Sequence, residues 1–325
     1  MSNTNTAPKQ IPPPQTGQPF AAVGDHVDKA TAVANAKFKT ISIPHKSQLE
    51  IRSRINILRL THIDDRGQGI GLEGRRLSQL SQAGKTFVLR SFAEEMNSTL
   101  NRYGVINKFR VIYIGLKASG TLKMLQKRIL GVFGDKYKDI GNADDVEERV
   151  AKYMKLFDVE LLIIDEAQHL EGISKDKSKI TDGLKALLDT GIVPIVMAGN
   201  EDSLDFFTQN DQLAARLGDA MELNPVAGNS NEQKVMMKSF CVNLGVAITA
   251  KSIFKHRTDF STPRMIKGLR AASRGHVGRV MRIVGVAVEQ AARRNADNVE
   301  PYDLANAVNT FAIPKGYCQT NPFLI

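Results

Sequence analysis

Val159-Glu160-Leu161-Leu162-Ile163-Ile164-Asp165-Glu166 is an apolar run that ends in two carboxylates. Such a run predicts a strand buried on both faces, as in a parallel sheet covered by helices. Acids at the carboxyl end of that strand stand where open α/β sheets bind their ligands. Upstream, residues 78–92 read SQLSQAGKTFVLRSF, and Ala83-Gly84-Lys85-Thr86 within them has the form of the second half of a phosphate loop, G-x-x-x-x-G-K-[ST]. In such a loop backbone N–H groups wrap the phosphates, the lysine reaches the β- and γ-phosphates, and the threonine hydroxyl ligates Mg²⁺. Phe87, Val88, Leu89, Phe92 and Met96 follow with helical spacing, which opens the loop into a helix whose N-terminus favours anions.

The two stretches together predict a site for ATP and Mg²⁺. Gln82, Ala83, Gly84, Lys85 and Thr86 surround the phosphates, Thr86 and Asp165 hold the metal, and Glu166 polarises the attacking water. A strand ending in a polar turn would account for the carboxylates alone, but not for the Gly-Lys-Thr upstream. One departure stands out: Gln79 occupies the position of the first loop glycine, after a polar approach, Arg75-Arg76-Leu77-Ser78. ATP binding is expected to survive this change, with slow hydrolysis.

Working outward, Phe109 to Gly115 reads as a second strand. Leu122, Leu125, Ile129 and Leu130 mark a helix after it, and Val146, Val150, Tyr153, Met154 and Phe157 mark another. Residues 191–198 (GIVPIVMA) form a fourth buried strand, and Met221-Glu222-Leu223 a short fifth. Ser47-Gln48-Leu49-Glu50 has capping-box spacing for a helix to about residue 60, with Leu49, Ile55 and Leu58 on or near its buried side. This alternation predicts an α/β domain over residues 41–228. After it the strand signal vanishes, and four helical patterns predict a small all-α domain over 229–312. Residues 1–40 begin Pro-, Thr- and Gln-rich and read as a disordered or partner-docking extension, compatible with a short helix after residue 20. Residues 313–325 read as an extended apolar tail, either disordered or held by another surface.

Formal net charge is +10, with a pI near 9.5. On a nucleotide-binding chain that balance points to a polyanionic partner, DNA or RNA first, although a merely basic enzyme has the same composition. The two cysteines, Cys241 and Cys318, lie far apart in sequence, which argues against a disulfide framework or zinc site and for a reducing, cytoplasmic location. No apolar stretch approaches a membrane span or the core of a signal peptide.

The order of a phosphate-loop α/β domain and a small helical domain resembles the AAA+ ATPases. Within them it is similar to the TniB/TnsC group, regulators of DNA transposition related to phage Mu B protein. The residues that carry the likeness are IIDEAQHL at 163–170, the strand ending in IVMAGN, QLAARL at 212–217, SRGHVGRVMRIV at 273–284 and the terminal NPF. The resemblance implies Asn200 as sensor 1, Arg216 as an arginine finger given to a neighbouring subunit, and Arg279 as sensor 2, with Arg274 and Arg282 as competitors. It also implies head-to-tail rings or filaments on double-stranded DNA. Lys117, Ser119, Thr121, Lys123, Lys136 and Lys138 would then track phosphates, although a solvated charged surface is the commoner fate of any one lysine. The partners so implied are the transposase and a TniQ/TnsD-like targeting factor, reached through the N-terminal segment and the NPF tail. A different AAA+ machine (initiator, helicase loader or clamp loader) and a non-hydrolysing DNA-binding adaptor are the rival readings.

Overall fold

The computed structural model describes residues 25–324 except 67, 79–83, 118–120, 171–176, 202, 204–206, 208–210, 224–225 and 227–229, with 78 and 177–179 described by backbone alone. Five parallel strands form one sheet in the order β2-β3-β4-β1-β5. They are β1 (Gly74–Ser78), β2 (Val111–Gly115), β3 (Leu161–Asp165), β4 (Ile195–Gly199) and β5 (Ala220–Met221). Every residue of β3 and β4 is buried, and successive residues alternate between two cores. Leu162, Ile164, Ile195 and Met197 face α4 (Leu122–Val132), α5 (Ala143–Leu156) and α6 (Lys177–Asp189). Leu161, Ile163, Val196 and Ala198 face α2 (Lys46–Thr61) and α3 (Lys85–Ser98). The doubly apolar pattern of residues 161–165 follows directly from this sandwich.

Glu160, at the start of the apolar run, is fully buried; it is held between Arg59 of α2 and Arg110, whose Nε lies 2.7 Å away. Removing Glu160 would leave two buried guanidinium groups facing each other without their shared carboxylate.

The local prediction for α2 needs correction. The helix starts at Lys46 with His45 at its N-cap and no side-chain capping bond, so the Ser47/Glu50 capping box does not form. Its buried face is Gln48, Ile51, Ile55 and Leu58, while Leu49 is 53% exposed. A stripe through 48, 51, 55 and 58 fits helical spacing, and Leu49 falls beside it. β1 lies between β4 and β5 although its GRRLS sequence lacks any apolar alternation.

The second body contains α8 (Asn231–Ala250), α9 (Pro263–Ser273), α10 (Val277–Arg293) and α11 (Pro301–Ala307), the last running on as a single wide turn over Val308–Ala312. Its core also takes in parts of both terminal segments. Within residues 1–40, α1 (Asp25–Lys39) packs along α10 and inserts Ala34 and Phe38; residues 1–24 lie outside the described part. The tail is likewise strapped down. Asn321 donates through Nδ2 to the Ala305 carbonyl (2.7 Å) and to Asn309 Oδ1 (2.8 Å), and its own Oδ1 accepts from the Phe323 N–H (3.0 Å). Phe323 is 3% exposed and sits so close to Gly268 that a Cβ there would meet its ring at 2.5 Å. Burying that ring contributes on the order of 2 kcal/mol. Of the two expectations for the tail, disordered or held by a surface, Asn321 and Phe323 follow the second, and the surface is the protein's own helical core.

Candidate nucleotide site

α3 begins where the backbone turns left-handed at Gly84 (φ 99°), a conformation that glycine adopts without steric cost. This places Lys85 and Thr86 in the first helical turn, where N–H groups are unpaired within the helix and the dipole is positive. The Thr86 hydroxyl donates to Asp165 Oδ2 at 2.7 Å, across 79 residues of chain. Lys85 is 7% exposed. Burial pushes its ammonium below the usual lysine range, while the carboxylates of Asp165, Glu166 and Glu201 push it back up. A cation so placed is matched to an anionic ligand.

Asp165 accepts three hydrogen bonds. Besides Thr86, the Tyr113 hydroxyl donates to Oδ2 (2.7 Å) and the Glu166 N–H to Oδ1 (2.9 Å). Burial first, and then the bond to Asp165, push the Tyr113 phenol above its ordinary value, so it stays protonated and remains a donor. The Arg90 guanidinium lies 5.2 Å from the Tyr113 ring centre. Glu166 takes a left-handed backbone (φ 61°), a costly conformation for a non-glycine residue and one found most often at functional turns. Its carboxylate accepts from Gln168 Nε2, and Gln168 Oε1 accepts from the Asn200 N–H at 3.2 Å. Asn200 directly follows β4, which lies between β1 and β3, so Asn200 and the two carboxylates share the carboxyl edge of the sheet.

Beside this edge lies a cleft of about 900 Å³, within the range of small-molecule sites. Gly84, Thr86, Gln48 and Glu166 are among its polar lining; Ile41, Ile43, Phe240 and Val277 form an apolar wall. Near that wall, burial pushes the His45 imidazole down to about 4, so it is neutral against the Phe240 ring, 6.4 Å away. The adjacent hydroxyl and carboxylate of Thr86 and Asp165 are hard oxygen donors that fit Mg²⁺.

The remaining predicted residues fall in distinct places. Gln82, Ala83 and Ser119, and with them Gln79, lie outside the described residues. Arg279 does not line the cleft; its guanidinium stacks 4.8 Å from the Tyr317 ring of the tail. Gly278, Met281, Arg282, Gly285, Val286 and Glu289 do line it, a single helical face from which Arg279 is rotated away. Of the three arginines weighed for sensor 2, Arg282 is the one facing the cleft, and Arg274 is an exposed helix cap. Arg216 ends α7 (Asp211–Arg216), pairs with Asp189 at 2.7 Å and lies against Gly71, at the amino-terminal edge of the sheet opposite Asp165.

Thr121 caps α4, accepting from the Met124 N–H at 3.2 Å. Lys117, Lys123, Lys136 and Lys138 are exposed. The loop after α4 runs back beside it, bringing the Gly141 carbonyl to 3.4 Å from Lys123 Nζ and Asp139 to 3.0 Å from Lys127. Sequence reasoning missed Tyr113 and Gln168. The first is hidden in an apolar strand pattern; the second stands within DEAQ, where only its neighbours suggested chemistry.

Residues 44–225 match the family described as "TniB: Bacterial TniB protein", more than half of the chain. The chain belongs to the TniB family. No curated protein sequence matches it. Among solved structures, the Cdc6p protein of Pyrobaculum aerophilum is similar over 87% of this chain and 71% of its own, at 13% identity and a TM-score of 0.60. The Aeropyrum pernix ORC2 protein, solved as ADPNP-ADP complexes, covers 84% and 71% at 14% identity and 0.59. The Aeropyrum pernix ORC1 protein, solved with DNA, covers 86% and 69% at 16% identity and 0.55. These are AAA+ P-loop ATPases, and this TniB-family chain has their fold. Among the described residues no helix is long and apolar enough to cross a membrane.

Proposed function

We propose that this protein is an ATP-hydrolysing regulator of DNA transposition that assembles head-to-tail on double-stranded DNA. There it marks the target and bridges a TniQ/TnsD-like targeting factor to the transposase. The observation that carries the nucleotide part is the Thr86–Asp165 hydrogen bond, which joins the phosphate-loop helix to the acidic end of β3. Mg²⁺ held by those two side chains would neutralise developing phosphate charge. Lys85 binds the β/γ-phosphates, Glu166 orients and deprotonates the water, and Asn200 senses the γ-phosphate from the end of β4. Arg282, facing the cleft from α10, takes the sensor 2 role in place of Arg279.

The DNA part rests on the net charge of +10 and on the exposed lysines along and beyond α4, together with membership of the TniB family. Phosphate contacts of this kind bind without sequence preference and weaken steeply with salt. Fluorescence anisotropy with labelled duplex DNA tests the reading. Binding is expected only with Mg–ATP, and joint substitution of Lys117, Lys123, Lys136 and Lys138 by Ala should weaken it at least about tenfold and flatten its salt dependence. Equal binding with and without nucleotide, or an unchanged salt slope in the variant, contradicts it. Electron microscopy of the complex separates continuous filaments, expected here, from the discrete ring of an initiator or loader.

A further inference from the structure

We infer that Gln168 is a positioning residue for hydrolysis, a two-ended clamp that holds the Glu166 carboxylate and ties it to the strand end carrying Asn200. The inference rests on reading Glu166 as the general base. A carboxamide has a donor end and an acceptor end, and both are used here in the only orientation that satisfies them. Nε2 donates to the Glu166 carboxylate, and Oε1 accepts from the Asn200 N–H at 3.2 Å.

The far end of the clamp is itself fixed. The Ser203 hydroxyl, fully buried, donates to the Asn200 carbonyl at 2.6 Å, so the backbone of Asn200 is gripped on both its N–H and its C=O. The packing leaves no slack: a Cβ on Gly199 would meet Ser203 Oγ at 2.3 Å and Gln168 Oε1 at 3.0 Å. The near end needs holding. Glu166 is only half-buried on a left-handed turn, and its own backbone N–H is already committed to Asp165. Without the amide, its side chain would be free to populate several rotamers on a solvent-facing turn. With the amide, one carboxylate oxygen is occupied and the other is left to take the proton of water. Any displacement of Asn200 by a γ-phosphate would reach Glu166 through two hydrogen bonds.

Gln168→Met keeps the length of the side chain and removes both bonds. Single-turnover hydrolysis by the full chain is expected to slow about tenfold to hundredfold, as for a misplaced catalytic group. Calorimetric affinity for Mg–ATP should stay within about twofold, because Gln168 does not hold the phosphates. Gln168→Glu, which loses the donor and sets a like charge beside Glu166, should slow hydrolysis at least as far. In the Glu166→Gln background, adding Gln168→Met should cost nothing further, since the two act as one unit. Parental turnover in Gln168→Met, a parallel loss of ATP affinity, or an additive loss in the double variant would overturn the inference. If Glu166→Gln itself turns over at the parental rate, the reading of the site fails and the clamp fails with it. Loss in Glu166→Gln with parental turnover in Gln168→Met removes the clamp alone.

Discussion

Glu166→Gln is expected to lower ATP turnover by about 100-fold or more while leaving ATP binding intact. The expectation follows from where the carboxylate stands. Glu166 lines the same cleft as Gly84 and Thr86 and adjoins Asp165, yet the phosphate-loop residues, and not Glu166, would hold the nucleotide. The amide variant keeps the shape and still accepts a hydrogen bond, but it cannot remove a proton from water. Binding and chemistry should therefore separate, with ATP-dependent DNA binding becoming longer-lived as the bound nucleotide persists. Turnover at the parental rate would place the base elsewhere.

The second large effect belongs to Arg216. Arg216→Ala should lose about 1,000-fold or more in turnover if its guanidinium completes a neighbour's site. A finger role for Arg216 would have to be played in trans: it sits at the amino-terminal edge of the sheet, beside Gly71 and Asp189, away from the cleft at the carboxyl edge of its own subunit. A mixing test follows. Glu166→Gln and Arg216→Ala are each expected to be nearly inactive alone, but in a head-to-tail assembly an equal mixture would place an intact finger beside an intact base at about a quarter of the interfaces. Turnover should reappear in the mixture on DNA with Mg–ATP. A mixture as silent as its components would show that Arg216 is not a finger acting between subunits.

The readable parts of this sequence were those with strong local patterns. Residues 161–165 and 195–199 are apolar on both faces because helices cover both faces, and that pattern is visible in one dimension. The Gly84-Lys85-Thr86 turn and Asp165 declare themselves by chemistry, and the Thr86–Asp165 bond joins them. β1 is different: in Gly74-Arg75-Arg76-Leu77 the one large apolar side chain is Leu77, and the strand's place in the sheet comes from pairing with β4 and β5. Tertiary context overrides propensity there. The tail was unreadable for a related reason. Phe323 has no periodic neighbours, and its pocket is made by Gly268, far away in the chain. The choice among Arg274, Arg279 and Arg282 depended on that same docking. Once Tyr317 is seated by the tail, Arg279 stacks on it, and the cleft-facing side of α10 carries Arg282.

The central claim is that Lys85, Thr86 and Asp165 form one site for a magnesium-bound triphosphate. Titration calorimetry of the full chain with ATP in excess Mg²⁺ tests it most directly. Saturable binding at one site per chain is predicted, weakened about tenfold to hundredfold in Lys85→Ala. No binding by the parent protein, or equal affinity in Lys85→Ala, would contradict it.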